Sequence, residues 1–329
     1  MKAIRYHAYG SPTVLRLEDI DRPVVNDDDV LIRVRAAALN PLDWHHMRGT
    51  PYLVRMSAGL SRPRPHGLGG DMAGRVEAVG RNVTRFRPGD EVFGGRGQSL
   101  VERSAALAEY LSIPQDAMVL KKPGNLTFEQ AAAVPVAAIS ALQALRDKAR
   151  VRPGHRVLVN GAAGGMGTFT VQIAKTMGAE VTGVCSTGNV ELVRSIGADH
   201  VVDYTKEDFT RDGRRYDVLI DLVANRSPKE SRRVLARTGV LVGCAPAKGL
   251  WTGPVFGVIK LLVLSRMVSQ TMVPFLAREN QDDLAVLYDL LEAGKIAPVI
   301  DRTYALSEVP EAMDYLETGH ARGKVVITL

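Results

Sequence analysis

The sequence predicts an α/β protein with two domains, a β-barrel-like domain and a doubly wound parallel sheet of the Rossmann type. The chain has 329 residues, more than the roughly 250–300 residues at which a single core stops growing. Residues 1–125 alternate short β-rich runs with turns, and from residue 126 onward apolar strands alternate with amphipathic helices. Such alternation is typical of a parallel sheet that helices cover on both faces.

The first segment contains strand-like runs at 30–34, 74–80 and 87–94. In the last run, Pro88 presets φ and Gly89 accepts a positive φ, so this pair predicts a turn. No helical periodicity longer than about two turns occurs before residue 126, which favours an all-β domain.

The second segment opens on a predicted capping box, in which Thr127 and Gln130 cap the start of one helix. Six strands are then expected, at 156–160, 180–185, 199–203, 217–223, 239–244 and 270–276. Helices are expected at 166–177, 189–196, 206–211 and 228–236. Right-handed connections between such strands give a doubly wound sheet.

The tail predicts helices at 282–293 and 310–318 and a last strand at 324–327. A β-rich start and a β-ended tail can belong to one domain, with the parallel sheet inserted between them. We therefore predict domain limits at 1–125, 126–277 and 278–329, the tail returning to the first domain.

Composition excludes several classes of protein. A chain that is 46% hydrophobic and 24% charged is not intrinsically disordered. Two cysteines, Cys185 and Cys244, are too few for a disulfide framework or a structural zinc lobe and suit a reducing compartment. The longest apolar run, 255–264, is too short to cross a bilayer, and the N-terminus has no signal-peptide pattern. We expect a cytoplasmic protein that binds no nucleic acid, because its net charge of +6 is spread among acidic residues.

A glycine-rich turn is the strongest functional signal. The apolar strand at 157–160 runs into Gly161-Ala-Ala-Gly-Gly-Met-Gly167, and a helix follows. Small residues let the backbone approach a pyrophosphate, and the helix N-terminus holds the negative charge. Gly164, Gly165, Met166 and Gly167 are therefore predicted to bind a dinucleotide. The alternative is a tight strand-to-helix connection without a ligand.

The end of the second strand indicates which dinucleotide binds. An NAD-selective enzyme places a carboxylate there for the ribose 2′-hydroxyl, whereas this chain has Ser186 and Asn189 and no acidic residue before Glu191. Hydroxyl and amide groups can donate to a 2′-phosphate, and Tyr204 after the third strand can reach the same pocket. We predict NADPH as the cofactor, with a modest preference over NADH because the loop has no Arg or Lys.

Four segments carry a family resemblance: residues 38–43, 70–76, 107–110 and the glycine turn. In this order and spacing, the chain resembles the zinc-independent, quinone oxidoreductase-like members of the medium-chain dehydrogenase/reductase superfamily, over essentially its whole length. The resemblance implies that the first domain is a GroES-like catalytic β-barrel and that the tail belongs to it.

The resemblance also bears on metal binding. Zinc-dependent relatives have a cysteine where Asn40 stands and a histidine where Gly70 stands, so we expect no metal. The alternative is a local site among residues with ligand chemistry, namely Asp43, His45, His46 and Asp71. The adjacent histidines tend to point apart, and we expect them in surface or domain-edge packing.

The family pattern implies a set of residues around the nicotinamide. It places Asn40 beside the ring, where an amide can bind cofactor or substrate; the alternative is that Asn40 only orders the turn before Pro41. The further positions implied to contact the cofactor are Ser140, Leu222, Gly243 and Gly323. Lys324, next to the last of these, is expected to be a solvated charge.

The proton donor is predicted to be Tyr52, which resembles a tyrosine in the cleft of related quinone reductases. Hydride transfer to an enone or quinone places negative charge on an oxygen that needs a hydrogen-bond donor. A phenol with a pKa near 10 stays protonated at neutral pH. Packing of a loop is the alternative role for Tyr52.

The sequence thus predicts a metal-free, NADPH-dependent oxidoreductase acting on a quinone or an activated C=C bond. A small hydrophobic substrate is expected, bound by the loop at 56–67 and the apolar segment at 251–267, although 255–264 can also be a core helix. The resemblance implies a homodimer paired through 270–276. The alternatives are a zinc-type alcohol dehydrogenase and an NADPH-binding sensor or structural protein with little catalysis.

Overall fold

The computed structural model describes residues 1–63, 67–95, 105–211, 213–244 and 268–329. The chain folds into two compact units. One unit comprises Met1–Ile139 and Arg278–Leu329, and the other comprises Ser140–Ala277. The domain limits predicted from the sequence, 1–125, 126–277 and 278–329, remain a prediction.

The described residues of the first part of the chain form seven strands. They are β1 (Lys2–Arg5), β2 (Arg16–Asp19), β3 (Asp29–Ala38), β4 (Asp71–Val79), β5 (Glu91–Gly94), β6 (Tyr110–Pro114) and β7 (Val119–Lys121). Short helices accompany them: α1 (Pro41–Arg48), α2 (Leu53–Ala58), α3 (Phe128–Ala132) and α4 (Pro135–Gln143), the last continuing into a π-helical turn at Ala144–Lys148. The capping box at the start of α3 is confirmed, since Thr127 Oγ1 accepts from the backbone N–H of Gln130 at 3.2 Å.

The second unit contains a six-stranded parallel sheet. Its strands are β8 (Arg156–Asn160), β9 (Glu180–Cys185), β10 (His200–Asp203), β11 (Tyr216–Asp221), β12 (Leu235–Gly243) and β13 (Thr271–Pro274). The order across the sheet is β10-β9-β8-β11-β12-β13, which confirms the doubly wound arrangement. The described helices are α5 (Gly165–Thr176), α6 (Val190–Ser195) and α7 (Pro228–Arg233).

The tail returns to the first unit as α8 (Gln281–Glu292), β14 (Ile300–Ala305), α9 (Val309–Glu317) and β15 (Lys324–Thr328). Strand β15 pairs with β3, where Val326 lies opposite Ala38. The larger sheet of this unit has the order β14-β15-β3-β4-β5-β7, with β6 also paired to β3, and β1 and β2 form a separate two-stranded sheet. The chain terminus and an early strand therefore share one sheet.

Apolar patterning explains both units. In β3 the alternate residues Val30, Ile32 and Val34 are buried in a core to which the tail adds Val309 and Met313. In the parallel sheet, consecutive residues of β8 are buried, as is typical of strands covered on both faces. This difference in burial explains why the apolar pattern of the sequence changes near residue 126.

One helix prediction is wrong, and another gives the helix too late an end. Residues 206–211 form no helix, because Asp208 Oδ1 accepts from both the N–H and the hydroxyl of Thr210 and so stabilises a local turn. The helix predicted at 228–236 ends at Arg233, and Leu235 already begins β12. The predicted apolar segment at 251–267 lies outside the described residues, as does part of the loop at 56–67. Within the described ranges, no helix has the length and apolar character that crossing a membrane requires.

Candidate dinucleotide and active-site residues

The carboxyl ends of the parallel strands meet at one edge of the sheet. Register pairs Asp221 of β11 with Asn160 of β8 on one side and with Gly243 of β12 on the other. It also pairs Asp203 of β10 with Cys185 of β9. The turns and loops predicted to bind the dinucleotide follow these strand ends, so they lie along the edge where doubly wound sheets bind their ligands.

The glycine turn connects this edge to α5. The N–H groups of Gly161 and Ala162 both donate to the carbonyl of Val184 in the next strand, at 3.2 and 3.0 Å. Gly161 has φ of +91°, which favours glycine. Gly164 is the N-cap of α5 and makes no side-chain capping bond. The N–H groups of the first helical turn have no partner within the helix and, with its dipole, favour an anion.

Two glycines of the turn have different surroundings. A Cβ atom on Gly167 would overlap the carbonyl oxygen of Gly161, so the packing of the turn itself requires glycine there. A Cβ on Gly164 would have, among the described residues, one heavy atom within 4 Å, the Gly161 oxygen at 3.6 Å. Among the residues that the structure describes, there is therefore space over Gly164, which fits the close approach of a pyrophosphate.

The loop after β9 places polar atoms at the same edge. Asn189 Nδ2 donates to Ser186 Oγ at 3.1 Å, which leaves the hydroxyl proton of Ser186 for another acceptor. Asn189 Oδ1 is buried and has no partner within the described residues. Tyr204, whose N–H donates to the carbonyl of Cys185, is 46% exposed beside this loop.

The sequence reasoning missed a carboxylate at this loop. Asp203, at the end of β10, accepts from the hydroxyl of Thr187 at 2.6 Å and from the N–H and hydroxyl of Thr205 at 3.0 and 2.7 Å. These bonds, that of Thr187 above all, lower the pKa of Asp203 to about 2. The loop itself has no acidic residue before Glu191, as the sequence shows, but the pairing of β10 with β9 places this carboxylate beside Thr187.

A second polar cluster holds the glycine turn against β11. Asn160 Nδ2 donates to Asp221 Oδ1 at 2.8 Å and to Asn225 Oδ1 at 3.0 Å. Asp221 Oδ1 also accepts from the N–H of Ala224 at 3.0 Å. The N–H of Leu222 donates to the carbonyl of Asn160 at 3.1 Å. These hydrogen bonds hold Leu222 next to the glycine turn. In the sequence, the cluster is indicated only by the polar residues Asn160 and Asp221, each of which ends an apolar strand.

In the first unit, Asn40 belongs to a buried network. It is the N-cap of α1, and its Nδ2 donates to Asp71 Oδ2 at 2.9 Å. Lys324 Nζ donates to Asn40 Oδ1 at 2.6 Å and lies 3.2 Å from Asp71 Oδ2. The side chains of Lys324 and Asp71 are 4% and 0% exposed. The expectation of a solvated Lys324 is wrong, because β15 carries it into the core beside a carboxylate.

The other residues with ligand chemistry have structural partners. Asp43 accepts from the N–H groups of Asn40 and Gly69 at 2.7 and 2.9 Å. His45 Nδ1 lies 2.7 Å from the carbonyl of Thr50, and burial lowers the pKa of this imidazole. His46 is buried rather than at the surface. No group of three or more potential ligands for a metal occurs among the residues that the structure describes.

Three predicted residues remain to be described: Tyr52, Ser140 and Gly323, the last of which directly precedes Lys324 in the chain. Tyr52 directly precedes α2, and the guanidinium of Arg55 lies 4.5 Å from the centre of its ring. Gly323 has φ of +104°, and a Cβ there would overlap the carbonyl of Val299, so the backbone alone requires this glycine. Ser140 is half-buried in α4. None of these positions contradicts the predicted roles.

Comparison with known proteins defines the class. Residues 26–124 match the alcohol dehydrogenase GroES-like domain, and residues 196–327 match the zinc-binding dehydrogenase family. The chain is 36% identical to a 2-methylene-furan-3-one reductase of Solanum lycopersicum, over 99% of this chain and 79% of that protein. It is 35% identical to an NADPH-dependent alkenal/one oxidoreductase of Arabidopsis thaliana, with the same coverage.

Solved structures agree with this class. A quinone oxidoreductase from Coxiella burnetii superimposes with a TM-score of 0.87 at 32% identity, covering 100% of this chain and 99% of that one. The chain belongs to the medium-chain dehydrogenase/reductase superfamily and, within it, to the quinone oxidoreductase-like family. The predicted combination of a GroES-like β-domain and a Rossmann domain is confirmed.

Cys185 offers a test of the environment at the end of β9. Burial, reinforced by the nearby Asp203 carboxylate, raises the pKa of this thiol to about 11. At pH 8 only about one thiol in 1,000 would then be ionised, and the thiolate is the reactive form. We expect Cys185 in the native protein to resist iodoacetamide at pH 8 and to react fully in urea, as measured by mass spectrometry of its peptide. Native labelling at the rate of an unfolded cysteine would contradict this environment.

Proposed function

We propose that the protein is an NADPH-dependent oxidoreductase that transfers hydride to a quinone or to an activated C=C bond without a metal ion. The observation that carries the proposal is the glycine turn, in which Gly164 is the N-cap of α5 and has space over its Cα among the described residues. Relatives that are named as an enone reductase, an alkenal/one oxidoreductase and a quinone oxidoreductase support the reaction class.

The residues that would hold NADPH fall into three groups. Gly164, Gly165, Met166 and Gly167 hold the pyrophosphate. Ser186, Asn189 and Tyr204 hold the adenosine ribose and its phosphate. The nicotinamide half is assigned to Asn40, Ser140, Leu222, Gly243 and Gly323. When bound, this cofactor supplies the hydride, and the protein supplies binding and orientation.

The metal-free character is supported by the chemistry at Asn40. This position offers an amide, whose oxygen accepts from Lys324 and whose nitrogen donates to Asp71. The network therefore fixes the orientation of the amide. A zinc-dependent relative would need thiolate or imidazole ligands here, and the sequence has Asn40 and Gly70.

The reaction class is tested by a screen of NADPH oxidation against quinones, enals, enones and enoyl thioesters, with NADH in parallel. Turnover with at least one of these acceptors, unchanged by a chelator, is the expected result. NADPH binding without oxidation across the whole panel would instead identify a sensor or structural protein. Stoichiometric metal and chelator-sensitive turnover of alcohols would identify a zinc-type dehydrogenase.

Tyr52 is proposed to donate the hydrogen bond that stabilises the developing oxyanion. Replacing it with phenylalanine keeps the ring that Arg55 covers but removes the hydroxyl. We expect Tyr52→Phe to lower kcat about 100- to 1,000-fold, the range for loss of one general acid or oxyanion donor. The Kd for NADPH, measured by fluorescence titration, should stay unchanged, and unchanged kcat would remove Tyr52 from the mechanism.

We also propose that the protein is a homodimer that extends its parallel sheet through β13. Among the described strands, β13 ends the order of that sheet, and an unpaired edge can pair with a second copy. Sedimentation equilibrium should give twice the mass of 35.7 kDa. A monomer at micromolar concentration would contradict the proposal.

A further inference from the structure

An ammonium group lies beside the loop that follows β9, although the loop itself contains no Lys or Arg. Lys206 stands three residues beyond the end of β10, and its Nζ is 3.3 Å from Asp203 Oδ2. The same carboxylate oxygen accepts from the hydroxyl of Thr187. The cation therefore reaches the ribose-binding loop through the pairing of β9 with β10, 19 positions after Thr187 in the sequence.

The hydrogen bonds of this cluster determine what remains for a ligand. The hydroxyl of Thr187 is used by Asp203, so it is not available to a phosphate. Ser186 retains its proton, but neutral donors such as Ser186, Asn189 and Tyr204 do not offset the negative charge of Asp203 close by. A 2′-phosphate therefore needs a cation at this loop.

Lys206 is suited to that role by its exposure. Its side chain is 69% exposed, whereas that of Asp203 is 10% exposed. Such a pair is largely hydrated, so the ammonium can contact a second anion without losing a buried interaction. Asp203 already receives three hydrogen bonds from threonines, and these keep the carboxylate stable when the ammonium turns toward a ligand.

We infer that Lys206 is the specificity-determining residue for NADPH, pairing its ammonium with the 2′-phosphate, while Asp203 holds the lysine beside the loop. The inference rests on the proposed function, since it requires a dinucleotide at this edge. It replaces the expectation that hydroxyl and amide groups alone select the phosphate. It also predicts a clear rather than a modest preference for NADPH.

The test compares Lys206→Met with a matched control. Arg211→Met removes a cation of similar exposure, 75%, which is also paired to a carboxylate three residues earlier, Asp208. The binding of NADPH, NADH, 2′,5′-ADP and 5′-AMP is measured by calorimetry for the wild type and both variants. The two mononucleotides probe the phosphate without the nicotinamide or any turnover.

Lys206→Met is expected to raise the Kd values for NADPH and 2′,5′-ADP by about 10- to 100-fold, the range for one charge-assisted hydrogen bond. The Kd values for NADH and 5′-AMP should change by less than twofold, and Arg211→Met should leave the Kd values of all four ligands unchanged. In 1 M salt the effect on 2′,5′-ADP should shrink, because salt screens the exposed pair. The melting temperature of each variant confirms that it is folded.

Several outcomes would overturn the inference. If Lys206→Met weakens the binding of NADPH and NADH equally, or weakens the binding of neither, Lys206 does not recognise the 2′-phosphate. The proposed function stands in both cases. If Arg211→Met has the same effect as Lys206→Met, only the general surface charge matters. If the wild-type protein binds none of the four ligands, the proposed function itself fails together with the inference.

Discussion

Asp71→Ala is expected to lower the free energy of unfolding by roughly 3–5 kcal/mol, the range for removing one partner of a buried ion pair. The substitution leaves the ammonium of Lys324, 4% exposed, without its carboxylate. It also removes the acceptor for Asn40 Nδ2 and for the N–H of Val136, at 2.9 and 3.0 Å. Urea denaturation at neutral pH measures the loss.

The double variant Asp71→Ala/Lys324→Met separates the charge effect from simple loss of contacts. Replacing both partners of a buried pair by apolar side chains is often close to neutral. We therefore expect the double variant to recover at least half of the stability that Asp71→Ala loses. An additive double variant, less stable than either single variant, would show that the two charges are not coupled.

Gly167→Ala is expected to lower the free energy of unfolding by about 3 kcal/mol, at the upper end of the usual cost of overpacking. Its Cβ would overlap the backbone oxygen of Gly161, which cannot move without opening the glycine turn. NADPH affinity should fall by at least tenfold, because the N–H groups at the start of α5 would be displaced. Urea denaturation and fluorescence titration measure the two effects.

Gly164→Ala is the matched control for this prediction. Its Cβ has only an ordinary contact of 3.6 Å with the protein, so stability should fall by less than about 1 kcal/mol, the cost of alanine at an N-cap. The methyl group would nevertheless occupy the space assigned to the pyrophosphate, and NADPH affinity should fall at least tenfold. If Gly164→Ala binds NADPH like the wild type, the pyrophosphate does not lie over Gly164.

The order of the elements could be predicted from the sequence because it depends on local patterns. Continuous apolar runs separated by helical periodicity determine a parallel sheet, and the turn after 157–160 determines which strand leads into the ligand site. At 206–211 the helical pattern gave a wrong prediction, because Thr210 donates hydrogen bonds to the Asp208 carboxylate and these stabilise a turn instead of a helix. A periodic pattern describes which side chains can face the core, but not which backbone groups a polar side chain will bond.

The sequence by itself determined the two-domain α/β fold, the glycine turn and the loop that follows the second parallel strand. Only the tertiary structure brought Lys324 to Asp71, 253 positions away, and placed Asp203 and Lys206 at the loop of Thr187. These contacts depend on the register and order of strands that are distant in the chain. A residue's own neighbours in sequence cannot encode that register, so the charges that surround the candidate site became visible only once the sheets were assembled.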